Sequence, residues 1–307
     1  MRIKLLGTAA GGAFPQWNCA CRNCRSLRKG SFAGKPRSQL QVAISRNDQS
    51  WYLLNASPDI RSQLERDPVF YPRRQVRSTP IAGIVLTSAD LDQVLGLLTL
   101  REFEQFRIYA TPTLQRILRE DNSMFAALNR VPGQVTWVDI APGERFSLVS
   151  KKGEAELCCT PVPLKEHAPS YISHQRRLEL KDEELLLGLT IETAAGRRLG
   201  YFPAICEISQ EIMKTLAGID VILFDGTFWS NNELQGVRAT APMAREIGHL
   251  PVSGAEGSLE RLAGLKARKI YVHVNNTNPL LNEAGREYRQ VRAAGWEVAE
   301  DGWEFEL

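Results

Sequence analysis

Short apolar runs recur along the chain, each closed by Gly, Pro, Asn or Asp, and they set the reading of its elements. Residues 3–6 predict a strand, and 7–12 a glycine-rich loop. Residues 41–44 and 51–55 read as a hairpin around a polar turn at 46–49. The Ile- and Val-rich run 81–87 predicts a buried strand, and 95–103 carries apolar residues at helical spacing. Short strands at 107–110 and 135–140 bracket a helix over 113–128. The second half repeats the style. A strand covers 155–162, and strands at 186–192 and 198–202 are joined across Ala194-Ala195-Gly196. Buried runs at 221–224 and 270–274 end in Asp225-Gly226 and Asn275-Asn276, and helices fit 210–217, 258–265 and 283–294. Two strand groups interleaved with helices predict two sheets flanked by helices in one α/β domain over residues 1–307. The polar segment 165–184 is long and irregular, a length at which loops are usually functional or disordered.

Composition narrows the class. The chain has 307 residues, 43% hydrophobic and 24% charged, which is ordinary for a globular protein with a large core and no need of disulfides. A net charge of +3 is too small for a generic nucleic-acid surface. No uncharged apolar stretch approaches the ~18 residues of a membrane span, because residues 81–100 are broken by Asp90 and Asp92. The first residues carry too few apolar side chains for a leader core of ~7–15. The expectation is a cytoplasmic chain with no membrane partner, whose 6 cysteines are thiols or metal ligands.

Three of those cysteines fall within six residues: Cys19, Cys21 and Cys24. Such spacing lets one loop wrap a tetrahedral Zn²⁺, with a fourth ligand from His249, His273 or Asn276. Three free thiols on a surface loop are the alternative. With all ligands from protein, the zinc is structural. Cys158, Cys159 and Cys206 read as packing residues. Asp90 and Asp92 follow a buried strand and precede a helix, so they either hold a divalent cation or cap the helix. The 4 histidines, His167, His174, His249 and His273, lie in the long loop or near strand ends that also carry Asp225.

The order of these features resembles the metallo-β-lactamase superfamily, whose fold is an αββα sandwich. The superfamily's first motif, His-x-His-x-Asp-His, here reads Ser88-x-Asp90-x-Asp92-Gln93. His167, Asp225 and His273 match the later ligands of that frame. Within the superfamily the chain resembles the coenzyme PQQ synthesis protein B family. The likeness rests on residues 9–19, 55–61 and 96–102, on Asp225-Gly226-Thr227, and on residues 273–279. The resemblance implies a role in making pyrroloquinoline quinone from a Glu-Tyr precursor. The implied enzyme is a metal-dependent oxidoreductase, hydroxylating a tyrosine ring with Fe²⁺ and O₂. A carrier of the cofactor or its intermediate in export, and a metallohydrolase, are the alternatives. Catalytic roles fall on Asp90, Asp92, Gln93, His167, Asp225 and His273, and Asp59, His174 and His249 are placed on the substrate side. Partners are a small or peptide-derived quinone precursor and a second copy of the chain. The family's first motif usually ends in Asp-His. The Gln93 amide at that place is a weaker donor to Fe²⁺ than imidazole.

Overall fold

The computed structural model describes residues 1–73, 75–164 and 168–307. Among them, strands β1 to β14 form two seven-stranded mixed sheets, with helices as the other regular element. The chain divides into two compact units. One comprises Met1–Leu6, Gln41–Arg197 and Glu304–Leu307, and the other Gly7–Leu40 and Arg198–Trp303.

In the first unit, β1 (Arg2–Gly7), β2 (Gln41–Ser45), β3 (Trp51–Leu54), β4 (Ile81–Val85), β5 (Phe106–Ala110), β6 (Val135–Asp139) and β14 (Trp303–Glu306) make one sheet, with β14 beside β1. Every residue of β2, β3 and β4 is buried, as expected of central strands covered on both faces. The hairpin is antiparallel with Val42 opposite Leu54, and β3 to β6 run parallel. The chain ends clasp each other: the Met1 ammonium donates to the Leu307 carbonyl at 2.6 Å, and Leu307 N–H to Met1 O at 2.8 Å. β7 (Phe146–Val149), β8 (Ala155–Pro163) and β9 (Leu187–Glu192) pair antiparallel in the same unit.

Three predicted elements of this unit differ in detail. The helix expected over 95–103 is two short pieces, Leu91–Val94 and Gly96–Thr99. It breaks because Gly96 N–H leaves the helix to donate to Ala56 O at 2.9 Å, an approach so close that a Cβ there would lie 2.2 Å from Ser57 O. The helix expected over 113–128 ends at Arg119, where the Asn122 side chain turns back to Ile117 O at 2.6 Å and a 3₁₀ segment follows. The polar segment expected to be irregular holds a helical turn, His174–Arg177, capped by Ser173. Arg176 grips Asp121 with two hydrogen bonds of 2.8 and 2.6 Å, the bidentate geometry that fixes a guanidinium.

The second unit is built on β10 (Arg198–Phe202), β11 (Val221–Asp225), β12 (Arg268–Val272) and β13 (Trp296–Val298), all parallel. Parallel neighbours need long crossovers, and the helices Gln210–Ala217, Ser258–Arg261 and Arg286–Ala293 lie in those connections. Tyr271 stacks on Trp296 with ring centroids 4.0 Å apart, filling the space beside β12. The strand expected to reach residue 274 stops at Val272, because His273 takes a left-handed φ of 58°. β11 and β12 therefore end side by side, with Asp225 opposite Val272 and a turn over residues 273–278 beyond them. A Cβ at Gly226 would lie 2.8 Å from the Tyr271 Cβ, so only glycine lets the chain after β11 stay this close to β12.

The carboxyl group of Glu233 braces that turn. It accepts from Trp229 N–H at 2.6 Å and contacts the Thr277 hydroxyl. Burial pushes this carboxyl up to about 7, against the pull of those donors. A carboxyl raised on folding takes up a proton in the folded state. Its stabilising contribution is complete below the unfolded value near 4.5 and is lost as pH rises through 7. Denaturant melts should therefore show stability falling by about 1–3 kcal/mol over that window. Glu233→Gln should flatten this slope, and an equal slope in both proteins would contradict the assignment.

Candidate functional site

Cys19, Cys21 and Cys24 flank the start of the helix Arg22–Arg28, and their sulfurs all lie within 4.8 Å of one another. The loop wraps because its own amides turn inward: Cys21 N–H reaches the Cys19 sulfur at 3.4 Å and Cys24 N–H the Cys21 sulfur at 3.5 Å. Of the three fourth-ligand candidates, the structure brings Asn276 to the thiols. Its Nδ2 lies 3.2, 3.7 and 3.3 Å from the three sulfurs. A half-turn of that amide exchanges nitrogen for oxygen, so Asn276 offers a donor to bare sulfur or an oxygen to an ion. Asn23, which the sequence reading passed over, holds Asn276 O at 3.1 Å and Asn278 O at 3.0 Å. Burial pushes the Cys21 thiol up to about 11. Burial acts on Cys19 too, but the Cys21 N–H and the neighbouring thiols hold it below its usual range. Three thiolates can share this space at neutral pH only around a positive charge.

The other two fourth-ligand candidates, His249 and His273, sit instead around Asp225. One oxygen or nitrogen from each of these three residues falls within 4.8 Å of the others. Asp225 is fully buried, and its carboxylate accepts four hydrogen bonds. Oδ1 takes Thr227 N–H at 3.0 Å and the Thr227 hydroxyl at 2.6 Å. Oδ2 takes Ile205 N–H at 3.1 Å and His249 Nδ1 at 2.8 Å. A carboxylate offers about four lone-pair positions, and at Asp225 protein groups meet all four. His273 Nδ1 lies 2.8 Å from the Thr227 hydroxyl, and the two imidazoles stack at 5.3 Å with 25° between their planes. His249 was expected on the substrate side, yet it shares this cluster. A pairing between residues 24 apart leaves no periodic trace in the sequence. Thr227 was legible only as part of Asp225-Gly226-Thr227.

In the first unit, Asp90 opens the helix Leu91–Val94 in extended conformation, without a side-chain cap bond. Its Oδ2 accepts from the Ser88 hydroxyl at 2.9 Å. Asp92 lies in the first turn of the same helix. Gln93 is buried, and its Oε1 has no hydrogen-bond partner among the described residues. That orphaned oxygen has a lone pair to give to a cation and is costly to bury with no partner. Tyr171, which the sequence reading did not single out, donates to Ala89 O at 2.6 Å and pins this loop. Asp59 begins the helix Ile60–Glu65. His174 stands exposed on its helical turn, with no hydrogen bond from its ring among the described residues. His167 lies outside the described residues. No helix among the described residues is long and apolar enough to cross a membrane.

Residues 50–274 match the family model described as the beta-lactamase superfamily domain. The chain is 42% identical over its full length, and that of the relative, to coenzyme PQQ synthesis protein B of Nitrosococcus oceani. It is 39% identical, again over both full lengths, to the protein of the same name from Azotobacter vinelandii. The solved structure of Zn²⁺-bound PqqB from Methylobacterium extorquens superposes over the whole of both chains, with a TM-score of 0.91 at 35% identity. Two mixed seven-stranded sheets with helices are thus the metallo-β-lactamase fold, and the chain belongs to the coenzyme PQQ synthesis protein B family of the β-lactamase superfamily.

Proposed function

We propose that the chain acts in pyrroloquinoline quinone synthesis, as a metal-dependent oxidoreductase hydroxylating a tyrosine-derived precursor, and that it carries one structural zinc. The names of its full-length relatives support the pathway. The observation that carries the chemistry is the pair of imidazoles anchored through Nδ1 on Asp225 and Thr227. A ring held by one nitrogen presents the other as a donor in a fixed direction. His249 and His273 are therefore the residues assigned to hold Fe²⁺, which when bound supplies the one-electron and O₂ chemistry that ring hydroxylation requires. Asp225 and Thr227 hold the two rings in their stacked arrangement, and the burial of His273 limits water around them. In the first unit, Asp90, Asp92 and Gln93 are assigned as oxygen donors to a divalent cation.

Zinc fits the Cys19, Cys21 and Cys24 cluster by donor type, with Asn276 oxygen as the fourth ligand. The Zn²⁺-bound relative supports that choice of ion. A structural zinc contributes its binding free energy to folding. Metal analysis of the purified protein should find about one zinc, and Cys21→Ser should lose it and melt several degrees lower. Unchanged zinc content in the variant would remove this assignment.

The oxidative reading is tested by oxygen uptake with a tyrosine-containing peptide and ascorbate, the reductant whose two electrons carry the second oxygen atom to water, after anaerobic loading with Fe²⁺. Uptake should appear in the wild-type protein and fall at least about 100-fold in His273→Ala and His249→Ala. Absence of Fe²⁺ binding and of uptake in the wild type would reject it.

A further inference from the structure

We propose that Trp17 and the exposed face of the helix Arg22–Arg28 form a docking surface for an acidic polypeptide segment that carries an aromatic side chain among its carboxylates. The inference rests on charge and exposure within the second unit and is independent of the oxidative reading.

The sequence sets up the charge. Nine lysines and arginines precede the first acidic residue, Asp48, whereas acids outnumber bases in the rest of the chain. Several of the nine are matched. Lys35 lies 2.5 Å from Glu300, Lys4 2.6 Å from Asp67 and Arg2 2.6 Å from Asp48, and the buried Arg37 donates to Ala299 O. Arg22, Arg25, Arg28 and Lys29 are exposed, and none has an ion pair among the described residues.

Spacing gathers these four cations. Positions 22, 25 and 29 fall on one side of a 3.6-residue helix, with 28 beside them. Asn23 and Cys24 point the other way, toward Asn276. Local stability explains part of the stripe. Arg25 and Arg28 stand in the last turn, where the helix carbonyls favour cations. It does not explain Arg22, which opens the helix at the end where the dipole disfavours positive charge, in a first turn that holds no acid. Like charges three and four residues apart also repel. A zinc held by three thiolates would leave a single negative charge, too little to match four cations.

Trp17 is the second observation. It is 85% exposed, more than any other aromatic side chain of the chain. Its loop is nevertheless pinned. Arg28 donates to Gln16 O and to Cys19 O, on either side of Trp17, and the Gln16 amide donates to Asn18 Oδ1 at 2.8 Å. An indole held in water by a fixed loop gains free energy when a partner covers it, and such side chains anchor interfaces. Guanidinium forks match carboxylates. A membrane surface fits less well, because the helix exposes no large apolar side chain. A nucleic acid would extend past a helix about 10 Å long and meet a chain that otherwise carries an excess of acid.

The test uses a fluorescein-labelled, Glu-rich peptide of about ten residues with one central Tyr. The comparison probes are its Tyr→Ala analogue, a Lys-rich analogue, an oligothymidylate of equal length and vesicles of phosphatidylserine and phosphatidylcholine. Fluorescence anisotropy at low salt should show the Glu-Tyr peptide binding the wild type, and binding should weaken steeply as salt is raised. The double variant Arg22→Glu, Lys29→Glu should bind at least about 10-fold more weakly, and Trp17→Ala about 3–10-fold more weakly. Neither Arg22, Lys29 nor Trp17 makes a side-chain hydrogen bond among the described residues, so the variants should keep the wild-type fold. A second measurement needs no variant to bind: in ¹⁵N–¹H spectra of the wild type, the Trp17 indole and the amides of residues 22–29 should shift on titration. No binding, or no shift at those signals, overturns the proposal. So does equal loss for the Glu-Tyr and Tyr→Ala peptides in Trp17→Ala, which would reduce the surface to bare charge. Tighter binding of the Lys-rich peptide, the oligothymidylate or the vesicles than of the Glu-Tyr peptide also overturns it.

Discussion

The turn over residues 273–278 is the constraint on which the second unit's chemistry depends. At one end it carries His273 in a left-handed conformation, with the ring on Thr227. Three residues later it carries Asn276, whose side chain faces all three cysteine sulfurs. The turn is held from beneath by hydrogen bonds that leave little freedom. Asn275 N–H donates to Thr227 O at 3.0 Å, and the Asn278 amide to Gly226 O at 2.9 Å. Asn23 reaches it from the cysteine helix. The asparagines are there because each can donate and accept at once, which a crowded turn with many backbone groups requires. The thiol cluster and the imidazole cluster are thus fastened to two parts of one short piece of backbone.

Burying a carboxylate as deep as Asp225 is affordable only with full compensation. Four donors meet its two oxygens: two backbone amides, one hydroxyl and one imidazole. Their arrangement follows from the parallel strands. β11 and β12 end side by side, and Gly226 keeps the chain after Asp225 within 2.9 Å of Val272 O. Ligands in open α/β sheets gather at the carboxyl ends of strands for this geometric reason.

Part of this was legible in the sequence. The cysteine spacing announced a cluster of thiols, and the buried runs 221–224 and 270–274 located the strand ends where Asp225 and His273 meet. The central hairpin and the buried strands followed from continuous apolar runs. What was hidden depended on groups distant in sequence. His249 joins Asp225 across 24 residues, and Asn276 rather than a histidine faces the thiols. Helix ends were misjudged where a backbone group found a partner outside the helix. Gly96 N–H goes to Ala56, and the Asn122 side chain returns to Ile117 O. Local periodicity does not register either event.

If one turn serves both clusters, loosening the thiol end should be felt at the imidazole end. Amide hydrogen exchange, compared with zinc loaded and after chelation, tests this most directly. The account predicts that protection of Asn275 and Asn278 falls together with that of Thr227, whose amide is held by Asp225. Loss of protection confined to the cysteine loop, with residues 225–227 and 273–278 unchanged, would contradict it.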